Sequence, residues 1–136
     1  MAVIPEKAKK LFMEAPGVVF LTASAEGQPN GNIIGIREII DDETVYLSDQ
    51  FFNKSLANLR ENQRVAVVYW VGGEAYELRG TARYVDSGEE FAARKAVADA
   101  RFAEMGVPIV AKGGCFVHVD AVFDQASGPN AGAQIA

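Results

Sequence analysis

The sequence predicts a mainly β protein with helices, arranged as a six-stranded antiparallel barrel. Six short runs rich in β-branched and aromatic residues are punctuated by turn-forming residues. The connections among the first three runs are too short for the crossover that parallel strands require, so these neighbours should pair antiparallel. The chain has 136 residues, 49% of them hydrophobic and 23% charged. One domain over 1–136 of that size removes roughly two-thirds of its unfolded surface from water. An open sheet of this composition would leave apolar edges exposed, whereas closure removes them.

Ile4, Ala8, Leu11, Phe12 and Ala15 recur at helical spacing after Pro5, which suits a first helical turn, and Pro16-Gly17 ends the pattern. Val18 to Ser24 reads as a strand, Glu26-Gly27 as a turn and Asn32 to Ile40 as the returning strand of a hairpin. Asp41-Asp42-Glu43 leads tightly into a third strand, Thr44 to Ser48. The period then becomes helical, with Phe52, Leu56 and Leu59 on one face until Asn62-Gln63, and β-branched residues return at Val65 to Val71. Gly72-Gly73 turns the chain into Tyr76 to Val85, where Leu78, Gly80, Ala82 and Tyr84 alternate with polar residues. A glycine midway along such a strand points to a bulge or a close backbone approach. Ser87 to Glu90 reads as a capping box, with Glu90 and Arg94 as an i,i+4 pair, for a helix running to about Glu104. Gly106 and Pro108 stop it, Cys115 to Phe123 forms the last strand, and Ser127 to Ala136 is a small-residue tail expected to be mobile unless a partner surface orders it.

Thirteen Lys and Arg against 18 Asp and Glu give a net charge of -5, the wrong sign for a general polyanion binder. Nucleic acid is therefore not the expected partner. Apolar runs such as Val65 to Val71 are far shorter than the roughly 20 residues a membrane helix needs, and no signal-type stretch opens the chain. No membrane partner and a cytoplasmic location are expected. Cys115 is alone and His118 is the single histidine, so neither an internal disulfide nor a four-ligand zinc site is expected. Alternation puts His118 on the side of Asp120 and Asp124, as a hydrogen-bonded or solvated strand residue, and Cys115 reads as a small core residue.

The stretch richest in chemistry is Ser48-Asp49-Gln50-Phe51-Phe52-Asn53-Lys54-Ser55. It leaves a strand and enters a helix, with Asn53 placed to cap it. A helix entrance offers unpaired N–H groups and a partial positive charge. Lys54 in that first turn is unfavourable unless an anion is present, and the Ser55 hydroxyl adds a donor suited to phosphate.

With these residues in view, the chain from about Val18 to Phe123 resembles the pyridoxamine 5'-phosphate oxidase-like, FMN-binding split-barrel family, as a small bacterial member and not the oxidase proper. The resemblance rests on Asn32-Ile33-Ile34-Gly35-Ile36-Arg37, on Val45-Tyr46-Leu47-Ser48, and on Asn53-Lys54-Ser55 leading into the helix Leu56 to Asn62. Arg64 to Trp70 and Tyr76 to Ala82 match the family's next two strands, and it is the order and spacing of the pieces that carry the likeness. It implies a split β-barrel of FMN-binding type. Lys54 with Asn53 and Ser55 would hold the FMN phosphate, Arg37 would stand where some members place a basic side chain for it, and Ser48 would bond near the ribityl chain or ring. Asn32, Ile33 and Ile34 would border the isoalloxazine. The family also implies a homodimer with the flavin at the subunit interface, and NADH, NADPH or a small redox partner as electron source.

Two departures separate this chain from the oxidase proper. It lacks the arginine-rich C-terminal motif that clamps pyridoxamine, ending instead in Asp124 to Ala136, and Asn32 replaces a basic residue, which weakens one phosphate contact. The expected function is FMN-dependent oxidoreduction of an unassigned small molecule, with no catalytic acid or base assigned. The alternative is a non-catalytic flavin-binding or electron-carrier protein. Relatives also bind deazaflavin or haem, and haem is disfavoured because His118 lies on a strand remote from the flavin motif.

Overall fold

A computed structural model describes residues 2–136. The elements run α1 (Glu6–Glu14), β1 (Val18–Ala23), β2 (Pro29–Ile34), β3 (Arg37–Ile39), β4 (Thr44–Asp49), α2 (Lys54–Glu61), β5 (Arg64–Val71), β6 (Glu74–Val85), α3 (Gly88–Glu104), β7 (Gly113–Asp124) and β8 (Ala133–Gln134).

All strand pairs are antiparallel, in the order β2-β1-β5-β6-β7-β4-β3, with β8 added to β7. The six expected strands become seven along this path plus the short β8. The cause is local: the run expected as one strand over Asn32–Ile40 breaks at Gly35-Ile36. Its first half pairs with β1, Ile34 opposite Val18, and its second half with β4, Arg37 opposite Leu47. Since β2 and β3 are consecutive in the chain, the two ends of the sheet meet at this break and the sheet curls back on itself as a split barrel.

Period-2 alternation fills the interior. Val18 and Phe20, Val45 and Leu47, Val65 and Val67, and Val117 and Val119 point into one core cluster. Helix α1 buries Ala8, Leu11 and Phe12 against that core; Phe12 meets Tyr69 edge-on at 5.4 Å, and the Tyr69 hydroxyl donates to the Ala8 carbonyl at 2.8 Å. The glycine of β6 has the expected close neighbour. A bulge falls between Arg79 and Gly80, and a Cβ on Gly80 would stand 1.9 Å from the His118 carbonyl oxygen.

Helix α3 lies outside the curled sheet, where the outer face of β4 places Tyr46 and Ser48, both buried. The capping box expected at its start does not form. Ser87 stands at the cap position without a side-chain bond, Glu90 instead takes both Arg83 amino groups at 2.8 and 3.0 Å, and Arg94 pairs with Glu38 of β3. An ion pair to the sheet fixes the helix in place, which an i,i+4 pair within it would not. The stretch 127–136 folds onto β7: β8 pairs with it, and Ile135 N–H donates to the Val122 carbonyl at 2.8 Å. No helix among the described residues is long and apolar enough to cross a membrane.

Candidate functional site

The break at Gly35-Ile36 opens a space at the meeting point of β2 and β4. The Ser48 N–H donates to the Ile36 carbonyl at 3.0 Å, which ties β4 to the break, and Gln50 Nε2 donates to Ser48 Oγ at 2.6 Å. Next to them lies a cavity of about 390 Å³ whose wall includes Asn32, Ile33, Ile34 and Ser48. The opposite wall comes from Phe51 and from Phe102, Met105 and Ile109, at the end of α3 and just beyond it. Ile33 and Phe51 are 69% and 65% exposed, so this face carries apolar surface that one chain leaves in water.

The turn after β4 brings α2 to the same place. Ser55 is fully buried; its hydroxyl donates to Asn32 Oδ1 at 2.5 Å and accepts from Asn30 Nδ2 at 3.1 Å. Asn30 and Asn32 share a face of β2, so the first turn of α2 is fastened to that strand through Ser55. Lys54 points the other way, into a second cavity of about 400 Å³ with Ser24, Gln28, Asn30 and Asn58. No acidic residue occupies the first turn of α2. Among the described residues lining the two cavities, Lys54 is the one charged side chain. In a chain of net charge -5, that leaves both cavities free of carboxylates and one end positive.

Four of the expected site residues, Asn32, Ile33, Ile34 and Ser48, thus line one cavity; Ser55 is bonded to Asn32, and Lys54 lines a second cavity. Asn53 stands at the helix entrance, but its side chain makes no capping bond, contrary to expectation, and its backbone has φ 48 and ψ -106. An N-cap that bonds these N–H groups sits in the β region, which this backbone does not occupy. Arg37 is not at the cavity. It is buried and donates to the C-terminal end of α1, Nε to the Phe12 carbonyl at 2.7 Å and Nη2 to those of Met13 at 3.2 Å and Ala15, while Nη1 donates to the Gly35 carbonyl at 2.7 Å. The carbonyls of Phe12, Met13 and Ala15 are the C-terminal groups that a helix leaves unpaired, so Arg37 serves as a cap.

Sequence reasoning missed Asp49. It is 1% exposed, its Oδ1 accepts the Phe52 N–H at 2.9 Å and its Oδ2 the Tyr84 hydroxyl at 2.5 Å. Burial, then this bond to a carboxylate, pushes the Tyr84 hydroxyl well above the usual phenol range. The available signal was an acid at an inward position of β4, in line with Val45 and Leu47. The wall from α3 was also missed, because nothing in residues 102–109 marks which part of the barrel they cross.

The family model for pyridoxamine 5'-phosphate oxidase matches residues 4–116. The chain belongs to this family. It is 32% identical over 123 residues to the uncharacterized protein MJ0282 of Methanocaldococcus jannaschii, covering 88% of this chain and 80% of that one. Among solved structures it is similar to HupZ of Group A Streptococcus, with a TM-score of 0.79, 25% identity and coverage of 95% of this chain and 99% of the other. An FMN-binding protein of Syntrophomonas wolfei has the same fold, with a TM-score of 0.74, 18% identity and coverage of 88% and 84%.

Proposed function

We propose that this protein is an FMN-binding oxidoreductase that works as a homodimer, with the flavin held where β2, β4 and the start of α2 meet. One observation carries the reading: an apolar cavity flanked by Asn32, Ile33, Ile34 and Ser48 is tied through the Asn32–Ser55 bond to the first turn of α2, whose Lys54 is the one charge lining a second cavity on that helix. A flat apolar ring with a polar chain ending in phosphate has that distribution of chemistry. Ile33, Ile34 and Phe51 would flank the ring, Ser48 and Asn32 would bond its polar edge or the ribityl chain, and Lys54 would receive the phosphate, while Ser55, whose hydroxyl and N–H are already given to Asn32 and Phe52, holds the start of α2 against β2. FMN, when bound, supplies the hydride or electron chemistry. The residues of this chain bind it, orient it and keep water from one face.

The apolar wall of Phe102, Met105 and Ile109 carries no cation, which favours an uncharged substrate over a phosphorylated one. The exposed surface supports the dimer. Ile33 and Trp70, 69% and 56% exposed, flank a smaller hollow beside Pro16 and Val19, and a second copy would cover this patch and close the cavity. Absence of a titratable side chain from the main cavity equally suits an electron carrier, the second reading. FMN-loaded protein distinguishes them: NADH- or NADPH-dependent reduction of an uncharged acceptor with turnover supports the enzyme, and flavin reduction without turnover supports the carrier. Light scattering is expected to give about 29 kDa, twice 14.6 kDa, and a stable monomer that still binds FMN would refute the shared site.

A further inference from the structure

The turn between β4 and α2 is held from inside the barrel by groups that no flavin contact explains. Along β4, Tyr46 and Ser48 face outward, while Val45, Leu47 and Asp49 face inward. Asp49 is therefore a carboxylate at the inner end of the barrel, 1% exposed, and it takes part in no ion pair among the described residues. Its two oxygens are each satisfied by one donor, the Phe52 N–H and the Tyr84 hydroxyl. Room for that hydroxyl is made by Gly113, where a Cβ would stand 2.1 Å from it. The Phe52 ring, 2% exposed, packs between Phe20 and Tyr84 at centroid distances of 5.3 and 6.2 Å.

One residue after this anchored Phe52, Asn53 has φ 48, the one non-glycine residue with positive φ among those described. Such a conformation persists only where its surroundings force it, and here the force comes from Asp49 and Phe52 on one side and the Ser55–Asn32 bond on the other. We infer that Asp49 and Tyr84 form a buried strut that holds the turn 50–53 in its strained form and so positions Lys54 for the flavin phosphate. The inference rests on the flavin reading above. Both are positioning residues, since neither lines the cavity. Without the strut the turn relaxes, the binding-competent fraction of the chain falls, and apparent affinity falls with it.

The test is a set of calorimetric titrations with FMN and with riboflavin on the parent chain, Tyr84→Phe, Asn53→Gly and the double variant. Tyr84→Phe is expected to weaken FMN by about 5-fold to 150-fold, the equivalent of the roughly 1–3 kcal/mol that one strained residue stores, and to change riboflavin by less than about two-fold. Combined with Asn53→Gly, the same substitution is expected to cost FMN little, because glycine takes positive φ without strain. Equal losses for both flavins, no loss, or an undiminished loss in the Asn53→Gly background would each overturn the strut. A parent chain that takes up neither flavin overturns the flavin reading and the phosphate-positioning role together. Amide exchange on the flavin-free chain separates the two failures: Tyr84→Phe should speed exchange at Phe52 and Ser55 selectively, and unchanged rates there would show that no strut exists.

Discussion

Replacing Gly80 by alanine tests the geometry on which the barrel depends. The new methyl would stand 1.9 Å from the His118 carbonyl oxygen, 2.8 Å from its carbon and 3.1 Å from Val119 Cα. A carbon rests at roughly 3.3–3.6 Å from such an oxygen, so about 1.4 Å must be opened. All three opposing atoms are main chain, and no side-chain rotation relieves the clash. The opening must come from the β6–β7 ladder, which pairs Tyr76 through Val85 with Asp124 through Gly114 and absorbs its one irregularity at this point. Overpacking of a core costs typically about 1–3 kcal/mol and sometimes more. Against an immovable backbone the upper end applies, so Gly80→Ala should lose about 3 kcal/mol, or roughly 10 °C in Tm for a chain of this length. Urea unfolding with an unchanged slope is the assay, and Gly73→Ala, with nothing within 4 Å of its Cβ, is the control, expected within about 0.5 kcal/mol of the parent. A Gly80→Ala variant as stable as that control would refute the close approach and the register built on it.

Lys54→Ala should weaken FMN by about 10-fold to 150-fold, the worth of one charge-assisted bond of roughly 1.5–3 kcal/mol, and leave riboflavin nearly unchanged. Equal effects on both flavins would remove Lys54 from the site. Arg37→Met strips the cap from α1 and should cost about 3 kcal/mol in chemical denaturation. The ratio of FMN to riboflavin affinity should not move, and a fall in that ratio would return Arg37 to the phosphate. Asp99 receives Lys95 and the Ala111 N–H; burial opposes these bonds, yet they hold its carboxyl below its ordinary value of 3.8. A depressed carboxyl contributes stability above its unfolded value and loses it as the pH falls through the folded one. Asp99→Asn should therefore melt below the parent at pH 6 and match it at pH 2, and a gap that persists in acid would contradict this sign.

Much of the architecture was legible because the core alternates cleanly. Val18 and Phe20, Val45 and Leu47, and Val117 and Val119 announce strands by period alone, and Ala8, Leu11 and Phe12 announce α1. The break at Gly35-Ile36 was not legible, since Asn32 to Ile40 is apolar and β-branched throughout and the change of partner is a decision of the tertiary fold. The site was legible in its strands, at Asn32, Ile33, Ile34 and Ser48, where alternation and order in the chain fix the position. It was less legible where side-chain rotation decides. Arg37 is basic and near the motif, yet the unpaired carbonyls of α1 claim it, and only the packing of α1 across the barrel brings them within reach. Asn53 had the residue type of a cap, but a positive φ set by the anchored Phe52 overrides that preference. Asp49 went unnoticed because its partners, Phe52 N–H and the Tyr84 hydroxyl, are a turn and a distant strand.

On the reading above, a flavin mononucleotide occupies the cavity tied to the start of α2. The most direct test is a calorimetric titration of the purified chain with FMN, with the visible absorption of the same sample recorded alongside. Saturation at one FMN per chain, a perturbed flavin spectrum and tighter binding than riboflavin are expected. Absence of heat and of any spectral change with FMN raised to about 1 mM, which corresponds to binding weaker than about -4 kcal/mol, would contradict it.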